Sequence, residues 1–326
     1  MGRLAPRREV PTNARSSVSA AAFDTSGDPV LDRRLDWARA FLTEGDFAAA
    51  AELLAETVEA APGFAAAWFL LGEAREGQGE GDAAREAYGR ALALDPADRL
   101  GAGLRRARLG GGATEGAMSA AYVRTLFDQY ADRFDTALRE KLAYRGPELL
   151  LEAVRAACTA QGRELRFGAA LDLGCGTGLA GVLFAPLMER LDGVDLSPAM
   201  LEKARALGLY AALEAGEMGA ALQAVPAGSL DLVIAADALC YVGDLGPIFH
   251  AARTALAPGG LFAFTLETHD GEGVLLRETL RYAHARDYVR ALAGEAGLAL
   301  VLLEQASTRA EKGAPVPGLV GVLATG

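Results

Sequence analysis

The amino-acid sequence predicts an α/β fold, a doubly wound sheet of seven strands, preceded by a small all-α domain. Two observations support this prediction. A helical pattern repeats at a fixed offset within residues 30–109, and strand-like and helix-like segments alternate from about residue 167 to the end. Apolar strands that alternate with helices are typical of a parallel sheet covered on both faces.

The composition bounds the possible functions. A chain of 326 residues that is 51% hydrophobic and 23% charged can bury a full core. A net charge of -11 argues against a basic face for phosphates, so we expect no nucleic-acid partner. The three cysteines and three histidines have no metal-ligand spacing, so we expect no metal site.

The distribution of apolar residues predicts no membrane partner, since apolar runs stay short of the roughly 18 residues that span a bilayer. Residues 1–29 contain arginines but no apolar signal-peptide core, which predicts a disordered tail. An organellar transit peptide is the alternative for this segment. From the cysteine usage we expect a reducing compartment and a cytoplasmic location.

The N-terminal half contains a repeat. Pro62 and Pro96 lie 34 residues apart, and Gly45 and Gly79 keep the same offset. Each unit is predicted to form two helices joined by a glycine turn, and small residues would let the paired helices approach closely. The second unit resembles the tetratricopeptide repeat at Trp68, Leu71, Gly72, Ala84, Tyr88, Ala91 and Pro96. The first unit is a weaker match, because it has Arg34 where the second has Trp68.

The two repeats are followed by three further predicted segments. We expect a capping helix over 98–109, which completes a repeat domain at 30–109, because such units bury their apolar faces by stacking. The glycine-rich residues 110–117 are predicted to be a flexible linker. A second domain then occupies 118–326, in which strands are predicted at 168–173, 191–196, 211–216, 230–236, 261–267, 299–305 and 319–324. Helices are predicted at 119–142, 146–160, 179–189, 198–207, 246–256 and 285–297.

The stretch LDLGCGTGLAG, residues 171–181, lies where a ligand binds in such a sheet, beyond the carboxyl end of its first strand. A P-loop would need Lys and Ser or Thr after Gly178, but Leu179 and Ala180 follow. Leu179 also replaces the third glycine of a dinucleotide fingerprint, which disfavours an NAD-dependent dehydrogenase. Asp195 ends the next predicted strand, where a carboxylate can accept two hydrogen bonds from ribose hydroxyls. These residues predict a nucleoside ligand without phosphates.

Four motifs in order, ALDLGCGTGLAG, LDGVDLSPAMLEKA, LDLVIAADALCYV and LAPGGLFAFTLE, resemble those of class I S-adenosylmethionine-dependent methyltransferases. The resemblance covers 118–326 and implies a Rossmann-like sheet whose last strand is antiparallel, with S-adenosylmethionine as cofactor. Repeats followed by this domain resemble bacterial methyltransferases that carry tetratricopeptide repeats. The resemblance implies these cofactor-binding residues: Asp172, Gly174, Gly176, Gly178, Asp195, Leu196, Glu217, Met218, Ala236, Asp237 and Tyr130.

By the same resemblance, Asp172 lies near the amino group of the cofactor and Asp195 holds its ribose. Met218 lies beside the adenine, with Glu217 as the acidic residue after the third strand. Asp237 borders the sulfonium end together with its neighbour Ala236. Tyr130 and Phe134 belong to a segment that resembles a lid over the cofactor; packing is the alternative role for both rings.

Candidate catalytic residues follow the fourth and fifth strands. Tyr241 lies where this fold contacts its substrate, and His284, expected at a helix start with Tyr282, has an ordinary pKa near 6.5 that suits a base. Packing or a surface position is the alternative for each. Arg309 and Lys312, in the loop between the last two strands, are candidates for the rim of the site, although solvated charges are the expected role. Cys175 and Cys240 flank the site, where small buried hydrophobes are expected in preference to thiol chemistry.

The sequence therefore predicts an enzyme that transfers a methyl group to an unidentified protein or small-molecule acceptor. The repeats are expected to dock a protein partner or protein substrate, because helical repeats form concave binding surfaces. Methyl transfer needs little beyond positioning of nucleophile and methyl group, so a general base is required only for a protonated acceptor. The alternative is a repeat-based scaffold protein with a vestigial or repurposed cofactor domain.

Overall fold

The computed structural model describes residues 25–132, 144–311 and 313–326. Its N-terminal region consists of paired antiparallel helices followed by a shorter fifth helix. The bounds are α1 Pro29–Glu44, α2 Phe47–Ala60, α3 Ala65–Gly77, α4 Gly81–Leu94 and α5 Ala102–Arg108. The two predicted repeats and the capping helix are therefore present as helices. Most of the predicted N-terminal tail lies outside the described residues.

Local sequence explains where these helices begin and how closely they pack. The carboxylate of Asp28 accepts from Val30 N at 2.8 Å and that of Asp46 accepts from Ala49 N at 3.1 Å, so each caps the helix that follows it. In α3, a Cβ on Gly72 would lie 2.5 Å from the ring of Tyr88 in α4. The missing side chain allows the close approach of α3 and α4 that the repeat pattern predicts.

The C-terminal region begins with two helices, α6 Ala120–Tyr130 and α7 Gly146–Ala160. Strands and helices then alternate. The strands are β1 Phe167–Leu173, β2 Met188–Asp195, β3 Ala212–Ala215, β4 Leu230–Ala235, β5 Leu256–Glu267, β6 Val274–Leu276, β7 Tyr282–His284, β8 Ala299–Gln305, β9 Ala310–Glu311, β10 Ala314–Pro315 and β11 Gly318–Ala324. The helices between them are α8 Leu179–Phe184, α9 Pro198–Ala206, α10 Met218–Ala224, α11 Gly246–Ala255 and α12 Arg286–Glu295, with 3-10 turns at Ala185–Leu187 and Leu239–Tyr241.

The main sheet has nine strands, of which seven follow the order β3-β2-β1-β4-β5-β11-β8; β7 pairs with β5, and β6 pairs with β7. Neighbouring strands from β3 to β5 are parallel, whereas β11 is antiparallel to both β5 and β8. The seven-strand order with an antiparallel last strand confirms the predicted Rossmann-like sheet, and β6 and β7 are additions to it. Strand order reverses between β1 and β4, and such a switch point opens a crevice at the carboxyl ends of the strands.

The structure departs from the predicted elements in the segment after β1 and in the segment before α12. The helix expected over 179–189 ends at Phe184, because β2 already begins at Met188 and pairs with Phe167 of β1. Tyr282 and His284 do not start a helix. They lie in β7, which pairs with β5 through Glu267 and Ala283, and α12 begins only at Arg286.

The glycine-rich segment between the two regions is packed on the sheet domain. The hydroxyl of Tyr282 donates to the backbone oxygen of Thr114. A Cβ on Gly243 would lie 2.1 Å from the backbone oxygen of Glu115, so this chain crossing requires a glycine. The expectation of a flexible linker over 110–117 is therefore wrong for Thr114 and Glu115, whereas the domain boundaries remain predictions. Among the helices of the described ranges, none combines the length and apolar character needed to cross a membrane.

Candidate functional site

A cavity of about 530 Å³ lies at the switch point of the sheet. Loops that follow β1, β2, β3 and β4 form one side, and α6 with the segments around Glu115 and Tyr144 forms the other. The predicted site residues that line it are Asp172, Gly174, Gly176, Asp195, Leu196, Glu217, Met218, Ala236, Asp237 and Tyr241. The sequence thus brings ten of its candidate residues to one cavity, although their roles remain proposals.

The loop after β1 depends on its glycines. Gly174, Gly176 and Gly178 have φ angles of 65°, 55° and 91°, in the left-handed region that side chains disfavour. A Cβ on Gly174 would lie 2.6 Å from Cβ of Ala238, whereas one on Gly176 would meet no atom within 4 Å. Gly176 therefore leaves open space on the cavity side of the loop, into which a ligand can approach the backbone.

Gly178 has a different position from the other two glycines. It precedes the first residue of α8 and is not part of the cavity lining, and a Cβ there would lie 2.8 Å from Cδ1 of Leu207. Its structural role is the close packing of this turn against the segment after α9. Contact between Gly178 and a cofactor carboxylate remains a prediction.

Asp172, at the carboxyl end of β1, is 1% exposed. Its Oδ2 accepts a hydrogen bond of 2.7 Å from the hydroxyl of Tyr210, and its Oδ1 has no partner among the described residues. Burial raises the pKa of Asp172 to about 7; the hydrogen bond from Tyr210 opposes this rise, and the charge of Asp195 adds to it. A buried carboxylate oxygen without a donor is costly, so this atom is suited to bind a cationic or donor group in the cavity.

Asp195 ends β2 and is held by backbone amides. Its Oδ2 accepts from Gly176 N at 2.9 Å and its Oδ1 from Ser197 N at 2.8 Å. Burial raises the pKa of Asp195, and these amide hydrogen bonds oppose the rise. Because a carboxylate oxygen has two lone pairs, each oxygen keeps the capacity to accept a further hydrogen bond from a ligand in the cavity.

The next two lining residues stand at the start of α10. Glu217 precedes its first residue in extended conformation, with no capping hydrogen bond from its side chain, and Met218 is the first helical residue. A Cβ on Gly174 would lie 3.9 Å from the sulfur of Met218, so this thioether borders the glycine loop. An apolar sulfur next to a carboxylate suits a flat ring with polar edges.

Asp237, after β4, has a φ of 53°, and hydrogen bonds hold this strained backbone in place. Its amide donates to Oγ1 of Thr265 at 2.8 Å, and its carboxylate accepts from Oγ1 of Thr308 at 2.9 Å to each oxygen. Nη1 of Arg309 lies 3.4 Å from Oδ2. The carboxylate is therefore largely occupied by protein partners, and its part in the site is to hold the backbone at the end of β4.

Arg309 lines this end of the cavity and belongs to a buried charge network there. Its side chain is 3% exposed, Nη2 bonds to Glu267, and Nε donates to Oε1 of Glu311 at 3.0 Å. Nη1 of Arg281 also donates to Oε1 of Glu311 at 3.0 Å. The expectation that Arg309 is a solvated charge is wrong, because the loop after β8 carries it into contact with Asp237 in the cavity lining. Lys312 lies outside the described residues.

Tyr241 and Arg281 form one wall of the cavity together with Phe127. Nε of Arg281 donates to the hydroxyl of Tyr241 at 3.2 Å, and the Phe127 ring meets the Tyr241 ring edge-on at a centroid distance of 5.2 Å. Burial raises the pKa of Tyr241 to about 12, with Arg281 opposing the rise. Tyr241 therefore stays protonated at neutral pH and can donate a hydrogen bond to a ligand, but it is a poor base.

His284 does not reach the cavity. It is fully buried in β7, and its Nε2 lies 3.0 Å from the backbone oxygen of Val242 and 3.1 Å from that of Gly243. Since both neighbours can only accept, Nε2 carries the proton. Burial lowers the pKa of His284 to about 4. The expectation of a general base at His284 is corrected to a structural role, in which the ring joins β7 to the loop that borders the cavity.

The remaining predicted residues divide as follows. Tyr130, at the end of α6, is not among the residues that line the cavity, so its contact with a cofactor remains a prediction. Phe134 lies outside the described residues. Cys175 and Cys240 line the cavity as buried thiols; burial raises the pKa of both, that of Cys240 to about 12, in agreement with the expected small hydrophobes.

The lining also contains residues that the sequence did not mark as site residues, among them Tyr144, Arg281 and Phe127. Tyr144, just before α7, is half-buried beside the cavity, and desolvation raises the pKa of its hydroxyl well above the usual value. Arg281 precedes β7, and no motif spacing marks either residue, because both reach the site through tertiary packing. Phe127 lies four residues after Val123 on α6, and this helical spacing is the signal in the sequence for an apolar face of that helix.

Comparison with known proteins identifies both domain types. A methyltransferase-domain family matches residues 170–260, and a tetratricopeptide-repeat family matches residues 35–99. The chain is similar to methyltransferase-like protein 27 of Homo sapiens, with 34% identity over 147 residues that cover 44% of this chain and 57% of that protein. It is also similar to a ubiquinone biosynthesis O-methyltransferase of Xanthomonas oryzae pv. oryzae, with 34% identity over 100 residues, 29% of this chain and 42% of that protein.

The chain thus spans about half the length of the curated relatives it matches. Among solved structures, a Burkholderia thailandensis 1,6-didemethyltoxoflavin-N1-methyltransferase with bound S-adenosylhomocysteine matches with a TM-score of 0.49 and 18% identity, covering 63% of this chain and 88% of that one. The family matches confirm the two domain types that the sequence motifs predict.

Proposed function

We propose that this chain, in which tetratricopeptide repeats precede a methyltransferase domain, transfers the methyl group of S-adenosylmethionine to an acceptor. The observation that carries the proposal is the pair Asp172 and Asp195 at adjacent strand ends. Both carboxylates line one cavity, and the buried Oδ1 of Asp172 has no partner in the described part of the chain. A ligand with an ammonium group and ribose hydroxyls satisfies both.

Each part of the cofactor has a proposed neighbour. The ammonium group pairs with Asp172, which stabilises the ionised form of a carboxylate whose pKa burial has raised to about 7. The ribose hydroxyls donate to Asp195. The open side of Gly176 admits the methionine part, and Glu217 and Met218 flank the adenine. These assignments place the methyl group toward the end of β4, where Ala236 and Asp237 line the cavity.

The bound cofactor supplies an activated methyl group, so the protein's main task is to orient the acceptor. Tyr241, Tyr144 and Phe127 shape the far end of the cavity, and Arg281 holds the Tyr241 hydroxyl. Tyr241 can donate a hydrogen bond to the acceptor. Because Tyr241 is protonated at neutral pH and His284 does not reach the cavity, we expect neither to act as a general base. Deprotonation of an acceptor therefore does not depend on either residue.

The acceptor is proposed to be a protein or a small molecule, with the repeats docking a protein partner or protein substrate. The support for docking is the repeat domain itself, since stacked helical repeats form extended binding surfaces. The cavity suits a small molecule or a single side chain. The name of the human relative states no acceptor, so the choice between the two classes rests on experiment.

Calorimetric titration of the full chain with S-adenosylmethionine tests the cofactor assignment. We expect binding by the wild type and, in Asp195→Asn, an affinity about 10–100-fold lower, because hydrogen bonds to a charged group are lost. Asp192→Asn is the matched control: it lies on the same strand and its carboxylate pairs with Arg190 outside the cavity. Absence of binding, or equal losses in both variants, would contradict the proposal.

The acceptor class is tested by incubating cell lysate with the enzyme and methyl-labelled S-adenosylmethionine, then separating macromolecules from small molecules. Label in a protein band that disappears with Asp195→Asn would assign a protein acceptor; label in the small-molecule fraction would assign a metabolite. A protein that binds partners from lysate equally with and without Asp195→Asn, and transfers no label, would instead be the scaffold alternative.

A further inference from the structure

Helix α6 touches three parts of the molecule at once. Its N-terminal end contacts the helical repeats, its middle lines the cavity, and its C-terminal part contacts the turn that follows Asp195. The contacts at the two ends are hydrogen bonds and buried side chains. They form a continuous connection from the repeats to the proposed ribose carboxylate.

The contact with the repeats is made by Ser119 and Tyr122. The hydroxyl of Ser119 accepts from Tyr122 N at 3.0 Å, which caps α6, and donates to the backbone oxygen of Asp98 at 2.9 Å, just before α5. Tyr122 is 5% exposed and packs in one apolar cluster with Leu104 of α5. A Cβ on Gly101 would lie 2.8 Å from the Tyr122 ring. The first turn of α6 is therefore fixed on the last helix of the repeats.

The contact with the cofactor side is made by Asp128. Its Oδ1 accepts from the hydroxyl of Ser197 at 2.6 Å and from Ala199 N at 3.3 Å, at the N-terminus of α9. The same hydroxyl accepts from Met200 N at 3.1 Å, and Ser197 N donates to Oδ1 of Asp195. Ser197 is fully buried. Because the Ser197 hydroxyl donates its hydrogen bond to Asp128, a lone pair of the same oxygen stays available for the helix cap. Asp128 thereby fixes the turn that holds Asp195.

Between these ends, the same helix lines the cavity through Val123 and Phe127, and Phe127 meets the Tyr241 ring. We propose that α6 makes the helical repeats part of the methyltransferase site, with Asp128 as the positioning residue for Asp195. The inference rests on the proposed function for the identity of the ligand, and on the contacts of α6 for the coupling. Displacement of α6 from the repeats would move the Phe127 wall and the Asp195 turn together.

The first test compares two carboxylates on the α6–α9 contact. Asp128→Ala is expected to weaken S-adenosylmethionine binding by about tenfold, roughly the loss of one charged hydrogen bond, and to raise amide hydrogen exchange at the first turn of α9. Asp128→Asn, whose amide oxygen accepts the same two hydrogen bonds, restores both. Asp132→Ala is the control, because Asp132 pairs with Lys203 of α9 at 3.0 Å but is 94% exposed. If the folded Asp128→Ala protein binds S-adenosylmethionine as tightly as the wild type, Asp128 only stabilises the fold, and its proposed role in positioning Asp195 is overturned.

The second test addresses the repeats. Leu104→Ala removes a fully buried side chain that packs with Tyr122, and we expect weaker cofactor binding although Leu104 does not line the cavity. Leu54→Ala is the matched control, since Leu54 is equally buried but belongs to the separate core of the repeats. If Leu104→Ala fails to fold, Ser119→Ala removes only the hydrogen bonds of Ser119 and should act in the same direction.

A double-mutant cycle completes the test. If the coupling runs through α6, both substitutions act on the same path. The double variant Leu104→Ala/Asp128→Ala should then lose about as much affinity as Asp128→Ala alone, which is less than the product of the two single losses. Independent, multiplying losses, or equal losses with Leu54→Ala and Leu104→Ala, would overturn the coupling. Failure of the wild type to bind S-adenosylmethionine would instead overturn the proposed function, so the two failures are distinct.

Discussion

The hydroxyl of Tyr210 donates a 2.7 Å hydrogen bond to Oδ2 of Asp172. This hydrogen bond limits the rise that burial causes in the pKa of Asp172. The Tyr210 ring also fills the space left by the absent side chains of Gly181 and Gly193, where a Cβ would lie 2.6 Å from Cζ and 2.9 Å from Cε1 of Tyr210, respectively. One tyrosine thus supports both the glycine loop after β1 and the charge state of the residue that ends the strand.

Tyr210→Phe is expected to lower affinity for S-adenosylmethionine about tenfold at pH 7.5, because a neutral Asp172 cannot pair with an ammonium group. In the wild type, affinity should rise with pH as Asp172 ionises near pH 7. Loss of the hydrogen bond raises the pKa of Asp172 further, so the rise should shift to higher pH. Calorimetry between pH 6 and 9 measures the shift. Tyr88→Phe, which removes a hydroxyl from Glu76 in the repeats, is the control, and an identical profile in both variants would contradict the assignment.

Gly176→Ala should weaken cofactor binding while lowering stability only moderately. The left-handed conformation costs a side chain about 1–2 kcal/mol, and the added methyl group would project into open space beside the cavity. Gly208→Ala is a close control, because Gly208 has a φ of 66°, also has no neighbour within 4 Å, and lies outside the cavity. We expect similar losses of melting temperature in both and a loss of affinity only in Gly176→Ala. Equal affinities would show that the ligand does not approach this loop.

Arg309→Leu is expected to destabilise the protein strongly, by about 3–5 kcal/mol, because it removes the buried cation that pairs with both Glu267 and Asp237. Denaturant unfolding at pH 7 measures the loss. Arg290→Leu, which breaks an exposed pair with Asp287, is the control and should change the free energy of unfolding little. Equal and small losses in the two variants would contradict the explanation.

Because of His284, we expect the free energy of unfolding to depend on pH in the mildly acidic range. Burial lowers its folded-state pKa to about 4, below the ordinary value, so its stability contribution is complete above pH 6.5 and is lost as pH falls toward 4. Over this window the wild type should lose roughly 3 kcal/mol through this group. His284→Gln keeps a side-chain amide donor for the carbonyls of Val242 and Gly243 and should flatten that part of the curve. Denaturant unfolding at pH 4.5 and 7 tests it. Affinity for S-adenosylmethionine should persist in the folded variant, since His284 does not line the cavity.

Much of the cofactor side could be predicted from sequence because its signals are local. A strand end followed by closely spaced glycines specifies where Asp172 and Gly176 lie, and Ser197 with Pro198 marks the start of α9 directly after Asp195. Backbone conformation and strand ends follow from short segments. Asp172, Gly176 and Asp195 accordingly line one cavity, as the sequence predicts.

The acceptor side could not be predicted in the same way. Because β11 inserts between β5 and β8, the loop after β8 lies at the same edge of the sheet as the end of β4, and it brings Arg309 beneath Asp237. This contact joins two residues that are 72 positions apart in the chain, so no local sequence pattern indicates it. His284 was misassigned for a related reason. The pattern before α12 resembles a helix start, but pairing of β7 with β5 keeps the segment extended.

The packing of Thr114 and Glu115 also bears on how the molecule responds to proteases. A glycine-rich connection between two domains is ordinarily the first site of cleavage, because an exposed chain fits a protease cleft. Here the Tyr282 hydroxyl holds the backbone of Thr114, and the backbone of Glu115 lies against Gly243. Limited subtilisin digestion of the native protein should therefore leave the peptide bonds around Thr114 and Glu115 uncut.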